Sequence, residues 1–309
     1  MKKLSIIIIS WNTKALLVEC LESVESGLHE WILRGEVETF VVDNASRDDS
    51  VAAVRSRFPW VTLIENTGNV GFAAANNQAI ERSTGEYVLL LNPDTRVIGD
   101  ALQQLVDFLD AHPEAGANGA RLLNADGTLQ PSCSPAPTLL REASRMFHLD
   151  ALHPLGVYRM QTWPTTEPRE VDVIQGACLL LRRDLLAQVG GLDETYFMYS
   201  EEVDLCMRVQ RTGARLYWVP TSQVIHYGGQ SSRQVATPMF LQLYRSKVLL
   251  FRKYHGRLRT AAYKLILMLA TGVRLLASPL ALLERSPQRE RHLTLASRYW
   301  QLMLALPGM

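Results

Sequence analysis

Residues Leu4-Ser5-Ile6-Ile7-Ile8-Ile9 form an almost unbroken apolar run that stops at the polar cluster Ser10-Trp11-Asn12. A half-exposed strand would alternate apolar and polar side chains. A run this dense in β-branched residues is buried on both faces, the habit of a parallel sheet covered by helices on each side. Although Lys2 and Lys3 precede it, the run is too short for the apolar core of a signal peptide, and no small-residue cleavage site follows. The body of the protein is therefore expected in the cytoplasm.

The pattern recurs. Strands are expected at 38–42, 61–65 and 87–91, with a weaker one near 116–122, and helical stretches at 13–26, 48–58, 72–83 and 98–111. Ser46 with Asp49 three residues on suggests a helix-start box. This alternation predicts an α/β fold around a central, mostly parallel sheet, with ligands beyond the carboxyl ends of the strands. Between residues 124 and 170, six prolines (Pro131, Pro135, Pro137, Pro154, Pro164 and Pro168) predict loops with short helices that wall a site. A second block follows, with a strand over 177–182, helices over 183–189 and 201–211, and a strand over 215–219 that ends at Pro220.

After Tyr254 the character changes. Residues 265–283 are apolar except for Thr271, Arg274 and Ser278, and Lys264 and Arg285 bracket them. A central Arg is costly inside a bilayer, so an amphipathic helix lying in the membrane interface fits better than a span; an ordinary core helix is the plain alternative. The expected organisation is a nucleotide-binding domain over 1–254 and a helical, membrane-associating tail over 255–309. Across 309 residues Lys plus Arg total 32 and Asp plus Glu 31, a net charge of +1 that gives no reason to expect nucleic acid. Cys20, Cys133, Cys178 and Cys206 are scattered without zinc spacing and read as reduced core thiols.

Four expected strand ends carry polar groups. Ser10 and Asn12 follow the first. Asp43 and Asn44 follow the second, where a carboxylate can accept from a pyrimidine N3–H or from ribose hydroxyls, unless Asp43 merely caps the next helix. The third leads into Asn66–Asn77, a glycine-bearing loop feeding a helix N-terminus, with Asn69 and Gly71 at its centre; it is neither GxGxxG nor a P-loop, and its glycines would also serve a plain turn. The fourth delivers Asp94 through Leu91-Asn92-Pro93, a hard carboxylate suited to Mg²⁺ or Mn²⁺ beside a diphosphate, or to capping. Farther on, Glu201, Glu202 and Asp204 open a helix. The helix dipole favours acids there, yet adjacent carboxylates raise each other's pKa as a general base requires. His226, after a strand and beside Gly228 and Gly229, could ligate a metal, hold phosphate or be structural.

Taken in order, these pieces resemble the family 2 glycosyltransferases of the GT-A fold, and most of all a rhamnosyltransferase-like subgroup. The match is carried by Ile9–Asn12, Val42–Ser46, Asn69–Phe72 with Asn76-Asn77, Leu91–Asp94, Gly176–Arg183, Gly190–Glu194, Phe197–Leu205 and His226. The resemblance implies that Asp43 reads the base, that Gly176 and Ala177 lie close to the donor sugar, and that Asp94 is the last acid of an Asp-x-Asp metal motif whose first acid is replaced by Asn92. It implies a divalent metal on Asp94 and His226, and a base at Glu202 in a position usually held by Asp. It also implies an inverting displacement from dTDP-rhamnose, or another dTDP- or UDP-sugar, to a surface-polysaccharide or lipid-linked acceptor at the inner face of the membrane. Two other readings share the fold. Nucleotidyl transfer would want a basic loop near the N-terminus, where only Lys14 stands; a catalytically degenerate glycan-binding scaffold would have lost Asp94 or both Glu201 and Glu202.

Overall fold

The computed structural model describes residues 2–279 and 288–309. Strand β1 (Leu4–Ser10) leads into α1 (Lys14–Gly27), the short α2 (His29–Leu33) and β2 (Val37–Asp43). Then come α3 (Ser50–Arg57), β3 (Val61–Glu65), α4 (Phe72–Ile80), β4 (Tyr87–Leu91), β5 (Thr95–Val97), α5 (Ala101–Ala111) and β6 (Ala115–Leu123). The proline-rich stretch holds β7 (Cys133–Ser134), α6 (Leu139–Met146), two single 3₁₀ turns and β8 (Arg169–Glu170). The chain continues through β9 (Val173–Ile174), β10 (Cys178–Arg182), α7 (Arg183–Val189), α8 (Glu201–Arg211) and β11 (Arg215–His226). It closes with α9 (Gln230–Arg233), α10 (Ala236–Ala277) and α11 (Gln288–Ala305).

These elements divide into two compact units. The sheet unit comprises Met1–Ala136, Tyr158–Phe197 and Glu201–Ser231; the helical unit comprises Pro137–Val157, Met198–Ser200 and Ser232–Met309. The sequence places a boundary at 254, whereas the helical unit takes in the chain from Ser232 onward and the α6 segment. Of the apolar stretch 265–283, residues 280–283 lie outside the described residues.

The sheet unit is built on nine strands in the order β3-β2-β1-β4-β10-β6-β11-β5, with β8 against β11. Strands β3, β2, β1 and β4 are mutually parallel, β10 runs antiparallel between β4 and β6, and β11 is parallel to β6. Every residue of β1 is buried, as its apolar density requires, because helices cover both faces. Ile6 and Ile8 pack with Leu17, Leu21 and Leu105 on one side; Ile7 and Ile9 pack with Ala73, Ala75 and Leu90 on the other. Each such side chain contributes roughly 2 kcal/mol on leaving water. All four cysteines are buried and free.

Two local expectations need correction. The Ser46–Asp49 box does not form: Asp49 sits at φ 59° with no capping side chain. Asp48 does that work instead, since its Oδ1 accepts from the Ser50 hydroxyl and amide while Oδ2 accepts from the Lys14 amide at 2.7 Å. The last strand does not end at Pro220. A register shift between Val219 and Gln223 absorbs the proline, which cannot donate to the ladder, and β11 runs on to pair His226 with Thr95 of β5.

Candidate active site

The carboxyl ends of β1 and β2 and the loop after β3 line a cleft of roughly 630 Å³. Its wall includes Trp11, Asn12, Asn44, Arg47, Gly68 and Asn69. Asn12 and Ala45 hold positive φ values of 51° and 62°, a strained backbone that side-chain bonds hold in place. The Asn12 amide donates to the Ser46 hydroxyl at 2.9 Å, and its Oδ1 accepts from the Arg47 amide at 2.7 Å. Asn44 donates to Asn69 Oδ1 and to the Gly71 carbonyl, while Asn69 Oδ1 also accepts from the Gly71 amide. These asparagines therefore shape the loop over 66–71. Gly71 is required there: at φ 91° a Cβ would lie 2.6 Å from the Phe197 carbonyl oxygen.

Asp43 is only 3% exposed. Its Oδ2 accepts from the Ser46 amide at 2.8 Å, so it braces the turn after β2. Its Oδ1 is buried with no hydrogen-bond partner and is an acceptor that an N–H or O–H of a ligand would satisfy. Ser10 Oγ lies 3.3 Å from Thr13 Oγ1, and its carbonyl accepts from the Asn44 amide. Trp11, Arg47 and Thr67 were not singled out from the sequence as ligand contacts. An exposed Arg47 on a cleft wall supplies the cation that the loop over 66–71 lacks.

A second cluster forms where β4 passes into β5. His226 Nε2 lies 3.4 Å from Asp94 Oδ1 and 3.4 Å from Asn92 Nδ2. Gln130 Nε2 donates both to Asn124 Oδ1 at 2.9 Å and to the His226 carbonyl at 3.0 Å, which fixes the amide's orientation. Its Oε1 must then accept from His226 Nδ1 at 2.6 Å, so Nδ1 carries a proton and Nε2 is the ring nitrogen that faces Asp94. Cis ligands of an octahedral cation at ~2.1 Å stand about 3 Å apart, so this carboxylate and imidazole fit one divalent ion. Burial of Asp94 works to raise its carboxyl pKa, but the bond and charge of His226 and the Gln230 amide outweigh it and hold it below the ordinary value. Among the described residues no group of three or more His, Cys, Asp or Glu could hold a metal, so further ligands would be oxygens of a bound diphosphate or water.

The third cluster is the first turn of α8. Tyr199 and Ser200, which lead into it, hold φ values of 68° and 71°. Glu201 is 4% exposed with Oε2 unpartnered; burial, reinforced by the charge of Glu202, pushes its carboxyl well above the ordinary range. Asp204 is fully buried and grips Arg208, whose guanidinium holds the Val189, Gly190 and Gly191 carbonyls. Glu202 alone of the three is half-buried. A Cβ at Gly176 would lie 3.6 Å from Glu202 Cβ and 3.8 Å from the Phe72 ring, so the Gly176-Ala177 backbone passes directly beside Glu202.

The site residues expected from sequence thus form a continuous path in the sheet unit. Ser10 bonds to Asn44, Asn44 to Asn69 and Gly71, and Gly176 adjoins both Phe72 and Glu202; the Ala177 carbonyl takes the Asn92 amide at 3.0 Å, and His226 adjoins both Asn92 and Asp94.

A family model described as Glycosyl transferase family 2 matches residues 5–190. That range includes Asp43 and Asp94 and ends before Glu202 and His226. The chain is 32% identical over 211 residues to an N-acetylglucosaminyl-diphospho-decaprenol L-rhamnosyltransferase of Mycobacterium tuberculosis, covering 63% of this chain and 68% of the relative. It is 26% identical over 180 residues to rhamnosyltransferase WbbL of Escherichia coli K12, covering 56% and 67%. Among solved structures it resembles the mannosyltransferase PcManGT of Pyrobaculum calidifontis in complex with GDP-Man and Mn²⁺, with a TM-score of 0.56 at 18% identity over 98% of this chain and 86% of that one. GalNAc-T7 with UDP, GalNAc and Mn²⁺ also gives a TM-score of 0.56, at 14% identity over 80% of this chain and 47% of that one. The fold is GT-A.

Proposed function

The chain belongs to glycosyltransferase family 2, whose members are inverting hexosyltransferases, and from that membership we propose that it moves rhamnose from dTDP-rhamnose onto a lipid-linked glycan. The observation that carries the mechanism is the half-buried carboxylate Glu202 beside the Gly176-Ala177 backbone, on a path that also joins Asn44, next to Asp43, and Asp94. The sugar and the acceptor class are drawn from the two rhamnosyltransferase relatives, one of which is named for a diphospho-decaprenol acceptor.

In this proposal Asp43 Oδ1 accepts from the base or ribose, and Trp11, Asn12, Asn44 and Arg47 enclose the nucleoside. Asn69 and Gly71 hold the loop that starts α4, and the positive end of that helix favours anionic oxygens nearby. Asp94 and His226 would hold a divalent cation, Mg²⁺ or Mn²⁺, which supplies charge neutralisation for the departing diphosphate. Gly176 and Ala177 lie against the sugar. Glu202 removes the acceptor hydroxyl proton as that oxygen bonds to the anomeric carbon; the bond to the diphosphate breaks with its electrons leaving on the nucleotide, and the configuration inverts. One carboxylate suffices, unlike the pair needed for glycoside hydrolysis. Burial, reinforced by the charge of Glu202, pushes the Glu201 carboxyl well above its ordinary range, so Glu201 is the less suited of the two to serve as a base. The transfer chemistry is assigned to the sheet unit and the tail over 255–309, part of the helical unit, to the inner face of the membrane, where such an acceptor resides.

Calorimetric titration of the purified chain with dTDP-rhamnose, UDP-glucose, UDP-galactose, UDP-GlcNAc and GDP-mannose, with and without Mn²⁺, tests the donor. The expected outcome is metal-enhanced binding of dTDP-rhamnose at least tenfold above the others, an order set by a few polar contacts. Preference for a different donor removes the rhamnose assignment; binding of none by a folded chain removes the donor site.

A further inference from the structure

We propose that the helical unit carries a membrane footprint of two elements, the exposed face of α10 after Gly256 and the loop over 147–157, and that this footprint lies in the plane of an anionic bilayer. The inference deepens the lipid-linked-acceptor reading and rests on it for its purpose, although its evidence is separate.

Helix α10 is broken at Gly256, where φ is 74°. Beyond the break Leu258, Leu265, Leu269 and Leu276 are 85%, 54%, 57% and 84% exposed. At 3.6 residues per turn these four stand one above another along about 27 Å of helix. Val273 and Met268 widen the stripe, and no charged residue interrupts it, while exposed Arg257 and Arg259 flank its start. The opposite face is committed to the core of the unit: Tyr263, Leu267 and Ala270 are buried with Leu302 and Leu306 of the closing segment. An apolar stripe this long on one face of a helix marks a contact surface.

The second element is in the same unit. Leu149, Leu152 and Leu155 are exposed on the loop after α6, with Leu152 at 84%. Arg274 of α10 ties this loop to the helix, since its guanidinium donates to the Met146 carbonyl and lies 3.4 Å from His148 Nε2. On α11, Trp300 is 58% and Leu304 65% exposed, and a ring with a polar edge suits the headgroup level.

Charge identifies the occupant. Residues 232–309 carry thirteen Lys or Arg against two Asp or Glu, whereas residues 1–231 carry nineteen against twenty-nine. The near-neutral total thus hides a basic helical segment, and basic charge beside an apolar stripe fits anionic lipid. A second copy of the same face would set like charge against like. By length and composition alone α10 could span a bilayer. Spanning would strip Tyr263 and Leu267 from their core. It would also carry Lys264 and Arg274, which hold the Met309 and Met146 carbonyls, into hydrocarbon.

The test is flotation of the full chain with vesicles of phosphatidylcholine alone, or of phosphatidylcholine and phosphatidylglycerol in equal amounts. Melting curves and donor titration run in parallel on the same proteins. The footprint predicts flotation with the anionic vesicles, weakened by salt and fully reversed by alkaline carbonate. It predicts about a tenfold or larger fall in Leu265→Glu/Leu269→Glu and a smaller fall in Leu152→Glu, with Leu33→Glu in the sheet unit unchanged. Donor binding unchanged in every variant would keep this result independent of the transferase reading. The proposal is overturned if the unmodified chain fails to float, if the variants float equally well, or if the chain resists carbonate as a spanning helix does. Self-association that Leu265→Glu/Leu269→Glu abolishes, in a chain that ignores vesicles, would give the face to a second copy.

Discussion

Two of the three acids that open α8 are buried and held by their surroundings. Asp204 holds Arg208 and through it the turn at Val189–Gly191, and burial pushes the Glu201 carboxyl well above its ordinary range. The proposed base is therefore Glu202, the residue the sequence motif also favours, one methylene longer than the usual Asp. The sequence motifs already pair Asp94 and His226, 132 positions apart, as expected metal ligands; they carry no sign of Gln130, whose value lies in an amide orientation that only contacts reveal. In the proposed metal site Gln130 is a positioning residue, acting through His226. Replacing it by Leu frees His226 to take the other tautomer and should weaken Mn²⁺ binding in the presence of dTDP by roughly 10- to 100-fold. Paramagnetic titration reads the affinity, and nitrogen NMR of the His226 ring reads the proton's position. Unchanged affinity with an unchanged tautomer would show that Gln130 only packs.

Elements were legible where one physical signal dominated. The dense β1 run and the 3.6-residue periodicity of α5 and α8 announced themselves, because burial on two faces or on one stripe leaves a pattern in the chain. Strand β11 outruns its sequence pattern, because Pro220 forbids a ladder bond and the bulge that absorbs it is a tertiary accommodation. Three-residue β5 and two-residue β7, β8 and β9 are too brief for any periodicity. Helix α6 hid a buried ion cluster: Glu142, 1% exposed, binds Arg145 and Lys247 of α10. Burial alone would raise the Glu142 pKa, but the two cations outweigh it and hold it below the usual range. A carboxyl lowered on folding stabilises the fold above its unfolded pKa of ~4.3, and that contribution is lost as pH falls through the folded value. Lys247→Met removes one cation from a buried pair and should cost about 3–5 kcal/mol at pH 7. In thermal melts from pH 7 to pH 3 the gap between parent and variant should also narrow, because a Glu142 carboxyl less depressed on folding loses less stability as it protonates; equal melting curves at every pH would make the cluster energetically idle.

At the scale of the molecule, total charge misleads while its distribution informs, since a net +1 combines an acidic sheet-bearing segment with a basic helical one. Family and fold could be read from ordered motifs because each strand end carries a polar residue that the fold alone does not need. The extent of the helical unit could not, because its α6 segment is separated from α10 by the second half of the sheet. The account's central claim is an inverting transfer in which Glu202 takes the acceptor's proton. Single-turnover transfer from dTDP-rhamnose to a polyprenyl-diphosphate-linked N-acetylglucosamine, by the parent chain and by Glu202→Gln, tests it most directly, with the product's anomeric configuration read by NMR. The expected result is an inverted product and a rate lowered roughly 10²- to 10⁴-fold in Glu202→Gln at unchanged donor affinity. A retained configuration, or full turnover in Glu202→Gln, would contradict it.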